Sequence, residues 1–256
     1  MPGYTLNERH LNALRDLVFA CKLTTSAVTL PWELIDGLCS LLRCDEMVFI
    51  GLDYGAQSHY FVQSSRDGNQ KFTTAFDEGS SDPFWQHFSS STHHAPWIPD
   101  DVASVTKPTD FLTEKEWRNL PLYVECFREG PKTSHELMMC LPDGRGRQLR
   151  LLCWRNPGRD FTERERFDLQ LLLPHIEAAY RRGERQRLTA QLTARQRELL
   201  GFVGEGYTNQ QIGRRMGLAE GTVRTHLNNI YARLGVRSRV EAVTRLLAAT
   251  DPRLMN

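Results

Sequence analysis

The amino-acid sequence predicts two domains of different class. Residues 1–183 read as an α+β domain, an antiparallel sheet flanked by helices, and residues 192–256 as an all-α domain, with 184–191 as the linker. Three observations predict this. Apolar residues recur at helical spacing near both ends of the chain, and the period changes to that of short strands in between. Charge divides along the same line: from residue 184 onward 12 arginines stand against 6 acids, net +6, leaving −5 for the first 183 residues within a chain total of +1. Finally, three capping boxes fall in under about fifty residues, opening at Thr193, Thr208 and Ser238 with Gln196, Gln211 and Glu241 three places later.

Taken in order, Leu6, Leu11, Leu14, Leu17, Val18 and Cys21 lie at helical spacing and predict a helix over 5–22. Pro31 suits a first helical position and opens a second helix to about Arg43. Residues 47–52 and 59–63 read as short strands joined by a turn at 53–56. A helix starts around Asp82 and Pro83, and 89–107 reads as a long irregular loop, a length that suggests lining or covering a pocket. Thr113 with Glu116 is a further capping box. Residues 135–141 and 148–154 predict a hairpin around Asp143 and Gly144. Thr162 with Glu165 caps a long helix to about Arg182, interrupted at Pro174. The sheet should hold about five strands.

The C-terminal domain carries the sharpest pattern. Gly206, Gly217 and Gly235 stand where helices should end. Between the last two, Val223, Leu227, Ile230 and Leu234 make one apolar stripe, while Arg224, Thr225 and Asn228 fall together on the opposite face. Thr222, His226, Asn229 and Arg233 gather along one flank. A short helix over 209–216 precedes it across a tight turn of Gly217, Leu218 and Ala219. Two short helices so joined, the second presenting arginine and amides outward, describe a helix-turn-helix.

These residues resemble the LuxR-type DNA-binding domain, a four-helix unit shared by NarL/FixJ-type regulators. The matching positions are Leu192 and Thr193, Arg197 and Glu198, Gly204 to Gly206, Thr208 to Ile212, Gly221 to Ile230, and Leu234 to Val236. Ala219 departs from the family's usual serine cap, a loss that costs about 1 kcal/mol. The resemblance implies that Arg224, Thr225 and Asn228 meet base edges in the major groove, where arginine suits guanine and asparagine suits adenine. It implies that Thr208, Asn209, Thr222, His226 and Arg233 hold phosphates. It also implies a homodimer on double-stranded DNA, with Val240, Val243 and Leu247 of the last helix as contacts across the two-fold axis, and contact with RNA polymerase if the protein activates.

The first domain is similar to GAF and PAS sensor modules, whose first and last helices often pair between protomers. A small ligand or a protein partner would then control it, with Asp82, Trp85, Trp97 and Trp117 as candidate pocket residues. Asp82 and Pro83 followed by Trp97 also echo acyl-homoserine-lactone receptors, yet Asn69 and Thr73 stand where that family has Trp and Tyr. A phosphorylated receiver built on Asp53 and Lys107 fits worse, because the chain opens on a helix and is too long. Asp53 reads instead as a turn residue.

No enzyme class is favoured. His93 and His94 lack a third ligand at metal spacing, Asp100 and Asp101 read as a surface turn, and no phosphate loop or nucleophile elbow appears. The six cysteines show no zinc-like spacing, so no metal or other cofactor is expected, and reduced thiols fit a cytoplasmic protein. No apolar run approaches a membrane span and no basic, apolar leader opens the chain.

Overall fold

The structure is a computed structural model and describes residues 8–23, 28–74, 83–88, 103–127, 135–144, 146–156, 158–190, 192–234, 236 and 238–248. It separates into two compact units, one of Met1–Leu23 with Leu30–Glu177, the other of Thr24–Thr29 with Ala178–Asn256. The expected Asp82 and Trp97 lie outside the described residues, as do His93, His94, Asp100, Asp101 and Gly235.

The first unit holds helices α1 (Glu8–Ala20), α2 (Trp32–Leu42), α3 (Pro83–Phe88) and α4 (Glu114–Arg118). Its strands are β1 (Glu46–Asp53), β2 (Ser58–Arg66), β3 (Asn69–Thr73), β4 (Ser104–Thr106), β5 (His135–Pro142) and β6 (Arg147–Arg155). They form one six-stranded sheet in the order β3-β2-β1-β6-β5-β4, every pairing antiparallel. The sheet thus holds six strands against the expected five or so, β3 and β4 joining the four ranges read from the sequence. Edge strand β3 is polar and almost wholly exposed, and β4 is three residues long within the stretch read as a loop.

Strand alternation gives the sheet two faces. Met47, Phe49, Leu137, Met139, Leu141, Leu149, Leu151 and Cys153 share one face and are buried, as are Leu34, Ile35, Leu38 and Leu42 of α2. Helix α5 (Glu163–Ala190) buries Leu169, Leu172 and Ile176 and contains Pro174 without breaking. Helices α1 and α5 are tied by His10, whose ring nitrogen lies 3.0 Å from the buried carboxylate of Asp168. Arg155 secures the end of α2, donating to the carbonyls of Leu42 and Arg43 and pairing with Glu165 at 2.7 Å. The stretch from Glu184, expected as a linker, continues α5 to Ala190, with an Arg187–Glu184 ion pair at 2.8 Å along it.

The second unit adds α6 (Ala194–Gly204), α7 (Asn209–Met216), α8 (Glu220–Leu234) and α9 (Arg239–Ala248). Leu199, Leu200, Val203, Ile212, Met216, Val223, Leu227, Ile230, Leu234 and Ala242 make its core. No helix among the described residues is long and apolar enough to cross a membrane.

Candidate nucleic-acid interface

Helices α6, α7 and α9 of the second unit begin where hydroxyl chemistry dictates. Thr193 and Thr208 cap α6 and α7, accepting from the amides of Gln196 and Gln211, and each glutamine carbonyl oxygen returns the bond to its cap residue's amide at 3.0 and 2.8 Å. Ser238 accepts from the Glu241 amide at 3.1 Å to open α9. Gly217 ends α7 in the left-handed region at φ 67°, a conformation that favours glycine. Helix α8 starts without a side-chain cap: the carbonyl of Ala219 takes the amides of Thr222 and Val223 at 3.0 and 3.1 Å.

The turn between α7 and α8 is set by a backbone contact. The Leu218 amide donates to the Gly213 carbonyl at 2.8 Å, and a Cβ at position 213 would lie 2.6 Å from the Leu218 carbonyl oxygen. Only glycine fits that approach unshifted, and sequence reasoning did not single it out. Its signal was available, since a glycine inside a capped helix costs about 1 kcal/mol against alanine and so calls for a packing reason.

Arginines lace the unit from outside its core. Arg195 pairs with Glu198 at 2.7 Å and donates to the Met216 carbonyl at the end of α7. Arg239 donates to the carbonyls of Val203 and Tyr207 at 3.2 and 2.7 Å, completing the end of α6. The Arg215 guanidinium lies 3.9 Å from the Tyr207 ring centroid.

Helix α8 turns Val223, Leu227, Ile230 and Leu234 inward, and Arg224, Thr225 and Asn228 are exposed together on its other side. Thr208 and Thr222 are exposed, while Asn209 and His226 are half-buried. Arg233 is exposed and donates to the Gln196 side chain at 3.3 Å, tying α8 to α6. On α9, Val240 is 74% exposed, Val243 packs against the unit's own core, and the side chain of Leu247 lies outside the described residues.

The first unit carries a different cluster on the second face of its sheet. Val48, Ile50, Leu52, Met138, Cys140, Leu152 and Trp85 pack there, with Tyr54, Val62, Phe84 and Trp154 at the margin. The Trp85 ring sits 5.5 Å from that of His59 and 5.1 Å from that of Phe84. Trp117 is also buried, but on α4 against Tyr123 at 5.6 Å between ring centroids. Two charged residues share the apolar face. Arg150 donates to Gln148 at 2.8 Å and to the Tyr54 hydroxyl at 3.3 Å, and Glu136 accepts from the Trp154 indole at 2.7 Å. Burial pushes the Glu136 carboxyl up to about 7, against the opposing pull of the Trp154 bond and of Arg150. The sequence pattern alone does not reveal this pair, because charges alternating along a strand read as a solvated face.

Comparison with known proteins bears on the second unit. Residues 190–246 match the family described as bacterial regulatory proteins, luxR family. The monoamine regulon transcriptional regulator of Klebsiella aerogenes is 42% identical over 87 residues, 33% of this chain and 38% of that protein. The HTH-type transcriptional regulator MalT of Yersinia pestis is 44% identical over 55 residues, 22% of this chain and 6% of that protein. The chain therefore spans well under half the length of these relatives. Among solved structures, Escherichia coli SdiA aligns over 94% of this chain and 98% of its own, at 12% identity and a TM-score of 0.43. With its caps, its turn and its outward face in place, the segment 190–246 is a helix-turn-helix domain of the luxR family of bacterial regulatory proteins.

Proposed function

We propose that the chain is a homodimeric, sequence-specific transcriptional regulator that binds double-stranded DNA in the bacterial cytoplasm. The observation that carries this reading is the face of α8, where Arg224, Thr225 and Asn228 are exposed side by side on a helix whose opposite side is wholly core. Such a helix fits the major groove, and its three side chains read bases. Thr208, Asn209, Thr222, His226 and Arg233 hold the flanking phosphates and fix the register. The exposure of Val240 supports α9 as a contact between protomers; Val243, which packs partly on the unit's own core, and Leu247 are assigned to the same contact by the resemblance alone. Phe167 and Leu171 on α5, 51% and 50% exposed, offer a second apolar stripe to the same partner. Both relatives named above are transcriptional regulators, which supports the regulatory role. An activator of this kind touches RNA polymerase as well.

The first unit controls the second through a small ligand or a protein partner, on this reading, and must favour one arrangement of the protein over another to do so. Trp85 and the buried polar groups beside it support the second sheet face as the place where a small molecule acts. The testing experiment is Arg224→Ala in the full chain, measured on a duplex selected from random sequence. It should cost about 1–3 kcal/mol on the selected site and relax preference at one base pair. An equal loss on unrelated DNA would remove Arg224 from base reading.

A further inference from the structure

Three of the chain's cysteines meet where α2 ends and the sheet begins. The last turn of α2 closes on Arg43, which sits in the left-handed region at φ 49°. The amides of Arg43 and Cys44 both donate to the Cys39 carbonyl, the latter at 3.1 Å. A helix end of this form brings the side chains at its first and last positions together, and here both are cysteine. The Cys44 thiol lies 4.0 Å from the Cys39 carbonyl oxygen and is in hydrogen-bond contact with the Cys39 thiol. It also contacts the thiol of Cys153, which β6 places opposite Met47 near the start of β1. All three sulfurs are thiols; Cys39 and Cys44 are half-buried, whereas Cys153 is sealed in the core. Among the described residues no three such side chains converge as metal ligands do, and two thiols in contact have a simpler reaction open to them.

We propose that Cys39 and Cys44 form an oxidation site, closing to a disulfide across the end of α2 when a hydroperoxide reaches them. First, a thiolate sulfur attacks a peroxide oxygen and the O–O bond breaks. The sulfur becomes a sulfenic acid, and the displaced oxygen takes the proton that the thiol gave up and leaves as an alcohol or water. Next, the second sulfur displaces the sulfenic hydroxyl, which leaves as water with the second thiol's proton, and the S–S bond forms. The two electrons lost by the sulfurs reduce the peroxide. The Cys44 contact holds the Cys39 thiol above its ordinary range, the Cys153 contact does the same for Cys44, and burial adds to both. Attack needs the thiolate, so the bond forms slowly; thiols that resist ionisation are also poor leaving groups, so it is reduced slowly. The pair is a latch that records sustained oxidation, and Cys153 stays reduced behind it.

The test exposes the full-length protein, reduced and then freed of reductant, to hydrogen peroxide under native conditions, alkylates the remaining thiols and digests with trypsin. Cleavage after Arg43 puts Cys39 in peptide 23–43, Cys44 in 44–66 and Cys153 in 151–155, so each pairing has its own mass. Peptides 23–43 and 44–66 should appear joined, lighter than their sum by two hydrogens, and should separate again with dithiothreitol. The link should form about tenfold or more slowly than peroxide oxidises an ordinary exposed thiol. Cys153→Ala should leave it in place, and Cys39→Ser should remove it. A principal link from 44–66 to 151–155 would overturn the assignment. So would both half-buried thiols still alkylated after overnight exposure, or sulfinic acid at either of them without any link.

Discussion

The two units place their charges in opposite ways. Among the described residues, every buried acid, arginine or histidine belongs to the first unit: His135, Glu136, Arg150 and Asp168. The helix-turn-helix core of the second unit is a cluster of apolar side chains, and none of the unit's described arginines is fully buried; Arg195 and Arg239 donate to carbonyls at helix ends and Arg224 faces outward. A charge held inside acts on the protein's own stability and is weakly screened; one held outside acts on a partner and is screened by salt. The first unit should therefore answer to pH, and the DNA binding proposed for the second to ionic strength.

The largest expected effect tests the first half of that contrast. Glu136 in the folded chain keeps its proton to about pH 7, whereas an unfolded glutamate loses it near 4.5. Between those values the folded state holds the extra proton, so this group's contribution to stability falls as pH rises through that window. The full loss is of the order of 3 kcal/mol. Thermal melting of the first unit should thus weaken from pH 5 to pH 7.5, and Glu136→Gln should flatten that slope. A slope unchanged in the variant would place the pH response elsewhere.

Next in size is Gly213→Val, which forces the α7–α8 turn apart and should cost about 1–3 kcal/mol in the second unit. Its melting transition should drop while that of the first unit stays in place; a common shift would show that the units do not melt separately. Smallest is Arg233→Ala. If Arg233 holds a phosphate, the variant should weaken binding evenly across sequences and flatten the dependence of log affinity on log salt by about one unit. A lower melting point with an unchanged salt slope would instead reduce Arg233 to its bond with Gln196.

The same contrast explains what could be read from the sequence. The second unit is written in local signals: Thr193, Thr208 and Ser238 announce helix starts within three residues of the groups they bind, and the α8 stripe needs only its own period. The first unit depends on long-range pairing. Ser104–Thr106 becomes a strand only because Met138 to Cys140 lie beside it, and three residues are too few to show alternation. Arg150 and Glu136 alternate with leucines as solvated residues do, and only the cover over that face makes them buried. Asp168 meets His10 across 158 positions, which no local spacing reveals. Helix α5 outran its expected end because Arg187 and Glu184, read as linker charges, pair at helical spacing.

The close approach at Gly213 has a consequence for how such a protein can change. The angle between α7 and α8 is held by main-chain atoms, the Leu218 amide and carbonyl against Gly213, and by buried side chains. The exposed side chains of Arg224, Thr225 and Asn228 lie on the other side of α8, away from its core stripe. The outward side chains of Arg224, Thr225 and Asn228 thus ride on a fixed mount and can be exchanged without re-engineering the support.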